Sequence, residues 1–137
     1  MKALIDTNVI LDALMSREPW AASAQSLLRA AAMERFKCYI TASQTTDIFY
    51  ILCHQGADAI SAKNIIKKLI VSVKVSDITS TDVQNALSSE MIDYEDAILA
   101  YAAKRQKADY IVSRNYKDFE RSPVPVLSPE ELLKELF

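Results

Sequence analysis

The chain has 137 residues, of which 50% are hydrophobic and 25% are charged, a composition typical of a single soluble globular domain. Its one glycine, Gly56, excludes glycine-rich phosphate-binding loops, which need several glycines close together. One histidine and two cysteines argue against histidine-rich zinc sites, Cys/His catalytic clusters and a disulfide scaffold. If the protein binds a metal ion for catalysis, its ligands are therefore expected to be carboxylates. The net charge of −2 gives no electrostatic argument for a nucleic-acid partner and none against a local basic patch. We expect one domain over residues 1–137, located in the cytoplasm and without a membrane segment.

The first half of the chain alternates short apolar segments with helical periodicity. Lys2 to Ile5 is predicted to form a strand, and Thr7 to Met15 a helix. Pro19 is predicted to be the first residue of a second helix that ends near Phe36. The next predicted elements are a strand over 38–41, a helix over 44–54 capped by Ser43, a helix over 57–69 and a strand over 71–75.

The second half continues the alternation and ends on a strong helix signal. The predicted elements are a helix from Thr79 or Ser80 to Leu87, a helix from Asp93 to about Gln106, and strands over 110–113 and 124–127. Ser128, Pro129 and Glu131 then form a capping box with proline at the first helical position. This pattern predicts an α/β fold, a three-layer α/β/α sandwich with a mostly parallel central sheet. In such folds, ligands bind outside the carboxyl ends of the strands.

Several carboxylates fall at the amino ends of predicted helices. Asp6 follows the first strand, Asp47 lies one turn into its helix, and Asp93 and Asp96 share a helix face. Glu95 is expected to point away from Asp96 into solvent. One interpretation is that these acids merely cap helices or interact with helix dipoles. The other is that they form a site for a hard divalent cation such as Mg²⁺ or Mn²⁺.

Four blocks of sequence carry a family resemblance in order and spacing over essentially the whole chain. They are residues 3–12 (ALIDTNVILD), 41–48 (TASQTTDI), 93–98 (DYEDAI) and 108–115 (ADYIVSRN), followed by Asp118 and Phe119. Together they resemble the PIN-domain proteins, named from the PilT amino terminus, and in particular the VapC-type toxin ribonucleases. The resemblance implies a metal-dependent endoribonuclease on a parallel α/β/α fold, which hydrolyses RNA phosphodiesters and leaves a 5′-phosphate and a 3′-hydroxyl.

The resemblance also implies roles for individual residues. Asp6, Asp47 and Asp96 would be the catalytic metal ligands for Mg²⁺ or Mn²⁺, with Asn115, Asp93 and Asp118 as further ligands. Thr7, Asn8 and Ser113 would support Asp6, and Arg114 and Lys117 would contact the phosphates of the substrate. Two positions depart from the family pattern, because Asp47 stands where Glu is more frequent and Asn115 where Asp is frequent. The second departure removes one negative charge from the site.

The implied partners are an RNA substrate, an antitoxin protein that inserts a peptide into the acidic groove, and a second copy of the chain. Exposed apolar residues on the helices between Gln44 and Leu69 favour such a homodimer. The alternative function is a degenerate PIN domain that binds RNA or protein without cleavage, which Asn115 and the short Asp47 favour. A third interpretation is a carboxylate-rich α/β domain whose acids only cap its helices.

Overall fold

Five parallel strands form the centre of the protein in a computed structural model that describes residues 1–137. They are β1 (Lys2–Ile5), β2 (Lys37–Thr41), β3 (Lys74–Ser76), β4 (Tyr110–Val112) and β5 (Val126–Leu127). The sheet order is β3-β2-β1-β4-β5, and Leu4 in β1 pairs with Tyr39 in β2 and Ile111 in β4. The apolar strand β1 therefore lies in the middle of the sheet, with parallel neighbours on both sides.

Helices cover both faces of this sheet. They are α1 (Thr7–Leu14), α2 (Ala21–Ala32), α3 (Ala42–His54), α4 (Ala59–Ser72), α5 (Ser80–Ser88), α6 (Tyr94–Arg105), α7 (Pro129–Leu136) and a 3₁₀ helix (Tyr116–Phe119). Ala3 and Ile5 face the core formed with α1–α4 and α7, whereas Leu4 faces the core formed with α5 and α6. This arrangement confirms the predicted α/β/α fold class. No helix is both long enough and apolar enough to cross a membrane.

The strand predicted over residues 71–75 is wrong in its first half. Helix α4 continues to Ser72, and β3 begins only at Lys74. Val71, Val73 and Val75 alternate in sequence, which indicates a strand. Val73 is instead the C-cap of α4: its N–H donates to the carbonyl of Leu69, and its side chain is buried in the core. Tertiary packing therefore overrides the local alternation.

The second helix begins later and ends earlier than predicted. Pro19 lies in a turn before Trp20, the N-cap of α2, so it is not the first helical residue. The helix ends at Ala32, and Glu34 takes a left-handed conformation with φ of 57°. That turn stops the helix before Phe36, whose side chain is buried in the core next to β2.

Helix α3 begins two residues before the predicted start, and Thr41, not Ser43, caps it. The Thr41 hydroxyl accepts from the N–H of Gln44, and the Gln44 side chain accepts from the N–H of Thr41 at 2.7 Å. Ser43 is already inside the helix, with its hydroxyl 2.9 Å from that of Thr41. The capping box outweighs the single serine because it satisfies two backbone donors at once.

The caps of the later helices agree better with the predictions. Thr79 caps α5, Asp93 caps α6 and Ser128 caps α7, with Pro129 as the first residue of that helix. Only one of the two bonds of the predicted box in α7 forms: the hydroxyl of Ser128 accepts from the N–H of Glu131. The Glu131 carboxylate instead accepts from the hydroxyl of Tyr116 in the 3₁₀ helix.

The order of the strands creates a crevice beside β1. The chain passes from β1 to β2 and β3 on one side, then returns to β4 on the other side of β1. Such a topological switch point is where open parallel sheets bind ligands, outside the carboxyl ends of the strands. Asp6 follows β1 and Ser113 follows β4, so both residues lie at this crevice.

Gln44 joins the first turn of α3 to the end of β1. Its side-chain nitrogen donates to the carbonyl of Ile5 at 2.7 Å and to the hydroxyl of Thr7 at 3.1 Å. Its oxygen accepts from the N–H of Thr41, and its side chain is 1% exposed. Gln44 therefore joins the residues on both sides of Asp6, through the carbonyl of Ile5 and the hydroxyl of Thr7, to a second helix.

We expect Gln44→Ala to lower the free energy of unfolding by about 2–3 kcal/mol, because it leaves a buried N–H and a buried carbonyl without partners. Chemical denaturation measures this loss. Gln55→Ala is the matched control, since Gln55 is exposed at the end of the same helix, and we expect it to change stability by less than about 0.5 kcal/mol. Equal effects of the two variants would contradict this role of Gln44.

Candidate functional site

Asp6 occupies the N-cap position of α1 but does not act as a cap. Its carboxylate makes no capping hydrogen bond. It accepts instead from the hydroxyl of Ser113 at 3.0 Å, and the residue is only 7% exposed. The capping interpretation is therefore wrong for Asp6, whose side chain faces the end of β4.

Burial is the main influence on Asp6 and raises the pKa of its carboxyl group. The hydroxyl of Ser113 and the N–H of Thr7 lower this pKa, the charge of Asp118 raises it, and the guanidinium of Arg114 lowers it. Asp118, from the 3₁₀ helix, and Arg114 thus both lie close enough to act on Asp6. The crevice at the switch point contains more than one acid.

Asp96, in the first turn of α6, has the most strongly raised pKa of these acids. Its half-buried position is the largest cause of a pKa raised to about 7. Four neighbouring carboxylates raise the pKa further: Asp93, Asp6, Asp118 and Glu95. Negative charge therefore accumulates between β1, α6 and the 3₁₀ helix, where it disfavours the ionised states of Asp6 and Asp96.

Glu95 extends this group of acids to α3. Its side chain is exposed, as expected, but its pKa is raised first by the charge of Asp47 and also by that of Asp93. We call the six residues connected in this way the acidic cluster: Asp6, Asp47, Asp93, Glu95, Asp96 and Asp118. Glu95 is not among the predicted site residues, although the run of three acids in four residues at the start of α6 is a signal for it.

Asp93 performs the capping role expected of it. Its carboxylate accepts from the N–H of Asp96 at 2.9 Å. The capping interpretation therefore holds for Asp93, whereas Asp96 receives no such bond through its own side chain. One acid of the pair orders the amino end of α6, and the other is left facing the crevice.

The hydroxyl of Ser113 connects two of the predicted site residues. It donates to Asp6 and accepts from the N–H of Asn115 at 3.1 Å, which places Asn115 beside the cluster. The other two predicted supports have different partners. The hydroxyl of Thr7 accepts from Gln44, and the side-chain oxygen of Asn8 accepts from Arg17 at 3.4 Å.

The two predicted phosphate-binding cations differ in their surroundings. Arg114 forms an ion pair with the buried Asp12 at 2.8 Å, and its guanidinium lies 3.8 Å from the centre of the Trp20 ring. Lys117 is exposed on the 3₁₀ helix and forms no ion pair. Lys117 is therefore free to contact a ligand, while Arg114 is already partly engaged.

Comparison with known proteins identifies the family. Residues 2–117 match the model of the PIN domain. The chain belongs to the PIN-domain family. No curated protein matches the sequence significantly.

Solved structures with the same fold include toxin–antitoxin proteins. VapBC2 from Rickettsia felis, bound to a DNA fragment from its promoter, superposes with a TM-score of 0.72 at 15% identity, over 93% of this chain and 98% of that chain. A toxin–antitoxin complex from Klebsiella pneumoniae superposes with a TM-score of 0.66 at 22% sequence identity, over 93% of this chain and 97% of that chain. VapC20 from Mycobacterium tuberculosis, a toxin that cleaves the sarcin-ricin loop, superposes with a TM-score of 0.61 at 14% sequence identity, over 80% of this chain and 86% of that chain. The PIN domain of this chain therefore has the fold of VapC toxins.

The chemistry of the cluster fits a hard divalent cation. As the side chains lie, no three Asp, Glu, His or Cys residues converge on a point that could hold a metal ion. The available donors are carboxylates and the Asn115 carboxamide, which are the oxygen ligands that Mg²⁺ and Mn²⁺ prefer. The mutual repulsion that raises the pKa of Asp96 and Glu95 is the kind that a bound cation relieves.

We expect Asp96→Asn to stabilise the metal-free protein at pH 8. The pKa of Asp96 is raised to about 7 from 3.8, so its ionisation costs stability progressively as the pH rises between these two values. After allowance for solvent screening, the gain at pH 8 is about 1 kcal/mol. Thermal unfolding in EDTA at pH 4 and pH 8 measures this difference.

Glu135→Gln, on the exposed side of α7, is the control for removing one negative charge, and we expect it to have little effect at either pH. A loss of stability in Asp96→Asn at pH 8 would contradict the account. It would mean that the favourable interaction with the amino end of α6 outweighs the repulsion.

Proposed function

We propose that this PIN-domain protein is an endoribonuclease that requires Mg²⁺ or Mn²⁺ and hydrolyses RNA phosphodiester bonds. The observation that carries the proposal is Asp6, a buried carboxylate at the switch point that does not cap its helix and that lies among other acids. Membership of the PIN-domain family supports the reaction class. The fold shared with a toxin that cleaves the sarcin-ricin loop supports RNA as the substrate.

In this proposal Asp6 and Asp96 hold the ion, and Asp47, Asp93, Asp118 and Asn115 complete its surroundings. When bound, the ion supplies water activation and neutralises charge on the reacting phosphate. Ser113 orients Asp6 through its hydroxyl, since a donor to one carboxylate oxygen leaves the other free for a ligand. Lys117 and the unpaired donors of Arg114 contact the backbone phosphates of the RNA.

The second candidate function is an RNA- or protein-binding PIN domain that does not cleave. Two observations favour it: Asn115 contributes no charge, and no three ligands converge as the side chains lie. Such a domain would keep its affinity for RNA when Asp6 is replaced by asparagine. The nuclease would lose cleavage in the same variant.

We also propose an antitoxin protein and a second copy of the chain as partners. The toxin–antitoxin complexes among the proteins of the same fold support the first partner. Exposed apolar side chains on α3 and α4, among them Tyr50, Ile60 and Val71, support the second.

The proposed metal site predicts a thermal shift. At an Mn²⁺ concentration of about 100 times the dissociation constant, we expect binding to stabilise the wild type by about 2–3 kcal/mol relative to EDTA. Asp6→Asn/Asp96→Asn lacks both central ligands, so its melting temperature stays the same in Mn²⁺ and EDTA. The same double variant cleaves structured RNA at least ~100-fold more slowly than the wild type.

Glu135→Gln is the control, and it keeps both the wild-type shift and the wild-type cleavage rate. If Mn²⁺ shifts the wild type and the double variant equally, the acids do not form the site. If the wild type binds Mn²⁺ and RNA but leaves the RNA intact, the second candidate function replaces the first.

Restoring the missing acid gives an independent prediction. Asn115→Asp adds a carboxylate beside the cluster, so we expect tighter Mn²⁺ binding, by about tenfold, and lower stability in EDTA. Isothermal titration and thermal unfolding measure the two effects. Asn115→Ser is the control that removes the carboxamide without adding charge. Unchanged Mn²⁺ affinity in Asn115→Asp would place residue 115 outside the metal site.

A further inference from the structure

Asp12 is a buried carboxylate of α1 that the proposed reaction does not use. Its side chain is 1% exposed, and two arginines from different segments neutralise it. Arg114 donates through Nε at 2.8 Å and through Nη2 at 3.4 Å, and Arg17 lies 3.7 Å away. A buried charge without partners is strongly unfavourable, so the folded state favours the position in which Arg114 pairs with Asp12.

Arg114 is held from a second direction as well. Its guanidinium lies 3.8 Å from the centre of the Trp20 ring, near the start of α2. The side chain is therefore fixed by a carboxylate and by an aromatic ring from two different segments. The guanidinium also lies near enough to Asp6 to lower the pKa of that carboxyl group.

The backbone on both sides of Arg114 belongs to the site. Ser113, immediately before it, donates its hydroxyl to Asp6 at 3.0 Å. Asn115, immediately after it, donates its N–H to the same hydroxyl at 3.1 Å. Fixing the side chain of Arg114 against α1 consequently fixes the position of the Ser113 hydroxyl relative to Asp6, which lies at the start of that helix.

We propose that Asp12 is a positioning residue of the candidate active site. Through Arg114 it fixes the segment 113–115, so that the Ser113 hydroxyl stays on Asp6 and leaves one oxygen of that carboxylate oriented for a metal ion. The proposal rests on the proposed function in one respect, that Asp6 is a metal ligand. Ser113 is the residue that bonds Asp6 directly, and loss of a direct support of a metal ligand changes metal affinity by about 10- to 100-fold. Asp12 acts on this bond through Arg114.

The fold contains a matched control for this ion pair. Asp82 is also 1% exposed, and it accepts from Nε of Arg105 at 3.0 Å. This pair joins α5 to α6, and Arg105 additionally donates to the carbonyl of Asp77 at 2.6 Å. Asp82→Asn therefore disrupts the same kind of buried ion pair without a contact to the segment 113–115.

The experiment measures amide hydrogen exchange at residues 113–115 and the Mn²⁺ dissociation constant of the folded protein. Both are measured in the wild type, Asp12→Asn and Asp82→Asn. We expect Asp12→Asn to speed exchange of the Asn115 amide at least tenfold and to weaken Mn²⁺ binding about tenfold. We expect Asp82→Asn to lower the melting temperature as well, but to leave both site measurements within twofold of the wild type.

If Asp12→Asn does not fold, Arg114→Gln and Arg114→Lys replace it in the test. In these two variants Asp12 keeps Arg17 as a partner, so its charge is not left unpaired. We expect Arg114→Gln to reproduce the faster exchange and weaker binding, and Arg114→Lys to restore part of both. Equal exchange at Asn115 in the Asp12 and Asp82 variants, or in Arg114→Gln and the wild type, overturns the proposal.

Failure of the proposed function gives a different result. If the wild type binds no Mn²⁺, the metal site is absent and Asp12 positions no ligand, whatever the exchange rates. If the wild type binds Mn²⁺ and Asp12→Asn binds it equally well, the metal site stands and the role of Asp12 fails.

Discussion

The burial of Asp6 among other acids is the constraint on which the rest of the structure depends. A carboxylate that is 7% exposed needs compensation, and here it receives the hydroxyl of Ser113, the N–H of Thr7 and the charge of Arg114. Asp118 and Asp96 add charge of the same sign nearby. Such a centre lowers the stability of the protein, as sites built for binding and catalysis frequently do. The cation proposed for this site would relieve the repulsion between these carboxylates.

The parallel sheet gathers these acids from distant parts of the chain. The end of β1 supplies Asp6, the start of α6 supplies Asp96, and the 3₁₀ helix after β4 supplies Asp118, because all three meet at the switch point beside β1. Two buried side chains then hold this edge in place. Gln44 ties the end of β1 to α3, and Asp12 ties α1 to the segment after β4.

The sequence predicted the parallel sheet, and the places of Asp6 and Asp96 at the ends of its elements, because these signals are local. Strand β1 is an apolar run that ends at an acid, and the cap of α7 is formed by adjacent residues. The partners of Gln44 and Arg114 were not predictable in this way, since Ile5 lies 39 residues from Gln44 and Asp12 lies 102 residues from Arg114. The effect of Asp47 on the pKa of Glu95 likewise depends on how two helices pack, which no spacing along the chain reveals.

The most direct test of the central claim is the location of Mn²⁺ in a crystal of the protein soaked in that ion, read from its anomalous scattering. The account predicts a peak at the acidic cluster, about 2 Å from carboxylate oxygens of Asp6 and Asp96. A peak elsewhere, or none at the cluster at millimolar Mn²⁺, would contradict the claim that these acids form a metal site.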